Sequence, residues 1–278
     1  MIGGKRLDKK KSTIKKLIFL FLPFVFLFVY DILAAIIAVF IEKGLTFFPV
    51  SEKFISSNAS FMDASIAFVL SIICYIFYRI VFIKKEPEVS ISKPKGLIYS
   101  VIIGFGAGGI SSIWLNGIYF LADHSTFLAK QIKGFDSLYN DMEKGPYIWL
   151  FLAIVVIGPI IEEILFRGII FSSFENTTKN SWFPVLATGF MFGVWHGSFI
   201  QGVYTAIVGI ILAYYMKKCR SLVFVALAHG VNNISGTLPP SLDTDFNNML
   251  LNVIAYVCII PTLAILYHLH HKGKKVSN

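Results

Sequence analysis

The sequence predicts an all-α fold: a polytopic helical membrane bundle with about eight transmembrane helices. Hydrophobic residues make up 56% of the chain and charged residues 15%, and the 27 phenylalanines outnumber the 25 lysines and arginines. A soluble domain of this length would need far more polar surface. Apolar stretches of about 20 residues recur, each long enough to cross a hydrocarbon core of roughly 30 Å. Barrel strands would be about half as long and would alternate in polarity, so a membrane barrel is excluded.

The expected spans fall at 17–41, 61–83, 97–122, 147–174, 182–198, 199–217, 221–236 and 250–269. A basic segment, 1–16, precedes the first. It contains Lys5, Arg6, Lys9, Lys10, Lys11, Lys15 and Lys16. Signal peptides also begin with basic residues, but their apolar core is about half as long, so the first span reads as a retained anchor. Residues 17–271 read as one bundle with a motif core at about 147–236, and 272–278 as a basic tail.

Charge placement supports this topology. With the N-terminus in the cytoplasm, Lys84, Lys85, Lys93, Lys95, Lys179, Lys217, Lys218, Arg220, Lys272, Lys274 and Lys275 also fall inside. Lys43, Lys53, Lys130, Lys133 and Lys144 fall outside, and the external connection after the seventh span carries Asp243 and Asp245. That asymmetry is the positive-inside bias of a multi-pass protein with both termini cytoplasmic. The net charge of +9 is thereby explained by topology, and nucleic acid is not an expected partner. The partner the composition does require is the lipid bilayer.

Between the third and fourth spans, the loop 123–146 places Leu128, Ile132, Phe135 and Tyr139 on one helical face. This predicts a short amphipathic helix at the outer surface, read as a cover on the bundle in preference to a substrate gate. Cys74, Cys219 and Cys258 lack metal or redox spacing and read as core residues.

Six polar residues then stand out inside apolar segments, where an ionisable group costs several kcal/mol unless paired or hydrated. The fourth span contains Gly158-Pro159-Ile160-Ile161-Glu162-Glu163-Ile164-Leu165-Phe166-Arg167. Pro159 removes a backbone bond and predicts a kink just before the carboxylates. Glu163 and Arg167 share a face and predict an internal ion pair. Glu162 points about 100° away and is left for a different task, such as general-base work.

The fifth span places His196 and Phe192 on one face, with Gly189, Gly193 and Gly197 as a small-residue stripe for close helix approach. The seventh places His229 and Asn233 on one face. From cytoplasmic ends near 174, 182 and 221, helical rise puts Glu162 and Asn233 roughly 18 Å deep, His196 roughly 21 Å and His229 roughly 12 Å. Three helices thus deliver polar groups to one slab. Asp31 is structural or cavity-lining. Asp63 and Arg79 lie near span ends, where reaching toward water suffices. His268, His270 and His271 mimic a metal cluster but sit at a basic helix end at the surface.

At these residues the sequence resembles the CPBP family of intramembrane proteases, also called the CAAX-protease, bacteriocin-processing or Abi family. Its motifs appear in order as Glu162-Glu163…Arg167, Phe192…His196 and His229…Asn233. The resemblance covers about 147–236 and implies hydrolysis of a peptide bond in or beside the membrane. It makes Glu162, Glu163, Arg167, His196, His229 and Asn233 the expected site. Glu162 would be the general base with His196, His229 and Asn233 the oxyanion donors, and Glu163 with Arg167 the ion pair that holds the site.

No cofactor is favoured, because a glutamate mechanism accounts for Asn233 and Arg167 and no His-Glu-x-x-His motif is present. The alternative is a catalytic zinc on Glu162, His196 and His229, as in a metalloprotease. Two other classes remain: a proton-coupled transporter, which predicts repeated halves with matching broken helices, and a non-catalytic adaptor or immunity protein. Family members cut prenylated tails, process secreted peptides or confer peptide immunity. Lys-, Ile-, Phe- and Asn-rich composition points to an AT-rich bacterium. The expected substrate is therefore a peptide or membrane protein in a bacterial plasma membrane.

Overall fold

The apolar stretches fold as helices in the computed structural model, which describes residues 2–47, 54, 57–83, 89–234 and 236–272. Lys53, Lys84, Lys85, Lys274 and Lys275, counted above for topology, lie outside the described residues. We number the helices α1 (Ile2–Thr46), α2 (Ala59–Val81), α3 (Lys93–Ala122), α4 (Thr126–Met142), α5 (Tyr147–Glu175), α6 (Phe183–Trp195), α7 (Phe199–Cys219), α8 (Leu222–Ile234) and α9 (Asp245–Lys272). The basic N-terminal segment continues into the first span as one helix.

Eight of these helices are apolar, as expected, and α4 is the amphipathic surface helix. Six (α1 from Thr13, α2, α3, α5, α7 and α9) are long and apolar enough to cross a membrane, and the chain is a multi-pass helical membrane protein. The other two, α6 and α8, have only 13 residues each, about 20 Å of helix. The fifth span ends at Trp195 because Gly197 adopts φ +66°, which a helix cannot continue. Ser198 then caps α7 by accepting from the Gln201 N–H.

Gly189 and Gly193 behave as the stripe predicts. A Cβ on Gly193 would lie 2.3 Å from the Gly202 carbonyl oxygen, and one on Gly189 would lie 2.4 Å from the Ile210 side chain. The third member is corrected: a Cβ on Gly197 would meet nothing within 4 Å, so this glycine serves the turn and not the helix contact. Gly193→Val should therefore drive α6 off α7 at a cost of about 1–3 kcal/mol. Thermal unfolding of the purified protein in detergent checks this, and an unshifted midpoint would contradict the close-packing reading.

Pro159, where a kink is expected, lies between two stretches of altered winding. Residues Phe151–Ile157 and Ile164–Ile170 of α5 make wide π-type turns around an ordinary α-helical stretch, Gly158–Glu163. The Gly158 N–H bonds the Ala153 carbonyl five residues back. Wide turns of this kind widen the ladder where proline has removed a donor, and they recur at functional sites.

Contacts define two ends of the bundle. At one, Arg220 forms a two-point ion pair with Glu175 at 2.7 and 2.9 Å. There too Lys217 bonds the Ser181 carbonyl, and Trp182, Tyr214 and His270 stack. His270 Nδ1 lies 2.9 Å from the Tyr214 hydroxyl and His271 Nδ1 3.0 Å from the Tyr267 carbonyl, so these histidines serve packing. At the other end α4, capped by Ser125, seats Ile132 against Ile118 and Ile200, with Leu128 and Phe135 alongside. Tyr147 also donates to the Thr237 carbonyl there at 2.6 Å.

Candidate active site

Glu163 and Arg167 form the expected ion pair inside α5: Nη1 donates to Oε1 at 2.8 Å, with side-chain exposures of 0% for Arg167 and 1% for Glu163. Nη2 reaches across to the Gly209 carbonyl of α7 at 3.0 Å. The guanidinium also lies over the Phe192 ring, 4.7 Å from its centroid, a cation–π contact that sequence reasoning missed. Phe192 stands edge-on to both His196 and His229, at 4.6 and 5.7 Å. Its ring thus packs against the guanidinium and both imidazoles.

The second carboxylate has a different environment. Glu162 is 21% exposed and faces a cavity of about 730 Å³ that Glu163 does not line. His196, His229 and Asn233 line the same cavity, so the four residues placed at similar depth do converge. His196, at the end of α6, contacts the Phe192 carbonyl through Nδ1 at 2.7 Å. A carbonyl can only accept, so Nδ1 carries the proton and Nε2 of the neutral ring keeps its lone pair. His229 Nδ1 likewise donates to Glu163 Oε1 at 2.8 Å, while its Nε2 lies 3.6 Å from Glu162 Oε2. Glu163 therefore orients a histidine as well as an arginine.

Asn233 is held by two contacts. One amide N–H donates to the Ile154 carbonyl of α5 at 2.8 Å, and the side-chain oxygen accepts from Asn232 at 2.8 Å. Together they fix which way the amide faces, and its second N–H is left for the cavity. The Ile154 carbonyl belongs to the first wide-turn stretch of α5. Close approach of α8 to that stretch needs Gly230, where a Cβ would lie 2.6 Å from the Val155 carbonyl oxygen.

Several residues lie differently from the sequence-based expectation. Asp31 is exposed and does not line the cavity, whereas its neighbour Tyr30 does. Asp63 is exposed near the start of α2, as its place at a span end predicts, and it also lines the cavity. Tyr139 of α4 and Tyr204 of α7 both line the cavity, and desolvation there pushes the Tyr139 phenol above its usual range. The one available signal for Tyr139 was its place on the apolar face of α4. Among the described residues, no three His, Cys, Asp or Glu side chains come together as a metal-ligand set.

Fold and cavity together define a multi-pass helical membrane protein with an enzyme-like polar site in its interior. Residues 144–235 match the family model described as Type II CAAX prenyl endopeptidase Rce1-like. That stretch holds all three motifs, which bears out the resemblance they carry. The chain is also 27% identical over 243 residues, 80% of its own length and 77% of the relative's, to the uncharacterized protein YyaK of Bacillus subtilis (strain 168). No solved structure matches.

Proposed function

We propose that the protein is an intramembrane endopeptidase of a bacterial plasma membrane, working through a glutamate-activated water without a metal. The division of labour between adjacent carboxylates carries this reading. Glu163 is engaged through Oε1 with both Arg167 and His229, while Glu162 faces the cavity. Glu162 takes a proton from a water oriented by His196 Nε2, and the hydroxide adds to the scissile carbonyl carbon. The resulting oxyanion accepts from His229, protonated at Nε2, and from the second Asn233 N–H, donors typically worth a few kcal/mol each. Glu162 then passes its proton to the departing amine as the C–N bond breaks.

A transporter would call for matching broken helices in two halves. Among the described residues, wide turns occur in α5 alone. The test is cleavage of quenched peptides with an apolar core by the purified protein in liposomes. His196→Ala should lower the rate by about 10²–10⁴-fold, the usual range for a positioned acid–base group. Full activity in that variant would remove His196 from the mechanism. Loss of wild-type activity on chelation, restored by zinc, would overturn the metal-free reading.

A further inference from the structure

The cavity sits at one end of the bundle. Its lining comes from the first halves of α2 and α7 (Asp63, Tyr204), from α5 as far as its middle (Glu162), from the later parts of α3 and α8 (Tyr119, Asn233) and from His196 at the end of α6. The basic helix ends bearing Arg79, Lys93, Lys95, Lys217, Lys218 and Arg220 lie at the opposite end. There the Ser90 hydroxyl bonds the Lys218 carbonyl, and Arg220 pairs with Glu175. By the positive-inside rule the basic end is cytoplasmic, so the cavity runs from mid-depth toward the outer face.

The charge of the lining is one-sided. Asp63, Asp136 and Glu162 face the cavity, whereas none of the chain's 25 lysines and arginines does among the described residues. Asp136 is held at the mouth by the Tyr119 hydroxyl, which donates to it. Lys133 and Lys144 line an adjoining groove along α4 that shares Tyr119 and Asp136 with the cavity, and there Lys144 pairs with Asp141 at 2.6 Å. A low-dielectric cleft lined by one sign of charge concentrates ligands of the other and rejects its own.

Resting on the endopeptidase reading, we propose that the cavity takes the extracytoplasmic stretch of a membrane-bound peptide carrying lysine or arginine beside the scissile bond. A cytoplasmic carboxy-terminal tail fits poorly on both counts. It would arrive from the wrong side, and its terminal carboxylate would meet three acids and no lysine or arginine.

Binding and cleavage separate this proposal from the one it rests on. Three amidated fluorescent peptides share an apolar core and differ in flanks of Lys, Gln or Glu. Anisotropy of each with full-length Glu162→Gln protein in zwitterionic micelles should show the Lys-flanked peptide bound about tenfold tighter than the Glu-flanked one, with a smaller gap in high salt. In the Asp63→Asn/Asp136→Asn protein that ratio should fall toward one. Equal affinities, a preference for Glu, or a preference that survives the double substitution would overturn the charge assignment. A clear binding preference without cleavage by wild type would remove the endopeptidase reading and keep the ligand class; equal cleavage of all three peptides would do the reverse. Sidedness is read in intact cells: Ser137→Cys should react with an impermeant maleimide and Lys179→Cys only after lysis. The opposite pattern would overturn the outer-face assignment.

Discussion

Replacing Glu162 by glutamine is expected to reduce peptide cleavage by at least about 10³-fold while leaving the folded protein intact. The rate effect follows from removing the group that accepts the water proton, a contribution typically near 10²–10⁴-fold. The intact fold follows from what Glu162 touches. It is 21% exposed, and its ion-pair-range neighbour, His229 Nε2, stands at 3.6 Å, beyond a good hydrogen bond. Glutamine keeps the shape and removes the charge, so the thermal midpoint should move little. Steady-state cleavage and thermal unfolding on one preparation decide the matter. A variant that unfolds would mean Glu162 is structural, and a folded variant with wild-type activity would remove it as general base. Running both proteins with and without chelator separates a base from a metal ligand, because a metal site would make wild type sensitive as well.

The sequence carried the site further than it carried the route by which the fold builds it. Spacing of four residues was enough to pair Glu163 with Arg167, and helical rise from the basic ends was enough to bring Glu162, His196, His229 and Asn233 to one cavity. Both arguments need only local geometry and the membrane's charge rule. The Asn233 bond to the Ile154 carbonyl and the Arg167 bond to the Gly209 carbonyl were not legible, since a backbone oxygen leaves no trace in residue identity. The wide turns of α5 were hidden for a related reason. Pro159 marks a lost donor but does not say whether the ladder breaks or widens. Gly197 was misassigned because a packing glycine and a turn glycine look alike until φ is known.

The largest stability effect should come from the ion pair. With Glu163 at 1% and Arg167 at 0% exposure, removing either partner leaves an uncompensated charge in the bundle, at a cost of about 3–5 kcal/mol. Arg167→Met loses the Gly209 bond and the Phe192 contact as well, so it should be the worse of the two singles. Glu163→Gln keeps an oxygen for His229 but strands the guanidinium. Combining Glu163→Gln with Arg167→Met removes both charges together, and its cost should fall well below the sum of the singles, since neighbours that share a buried partner are not additive. Activity should not return with stability. In wild type the Glu163 carboxylate accepts from His229 Nδ1 and fixes the ring's orientation toward the cavity, and a neutral amide oxygen is a weaker acceptor for that bond. Unfolding of the two singles and the double, with cleavage measured on the folded fraction, tests both halves. Additive stability losses would deny the coupling, and restored cleavage in the double variant would show that Glu163 acts on the fold alone.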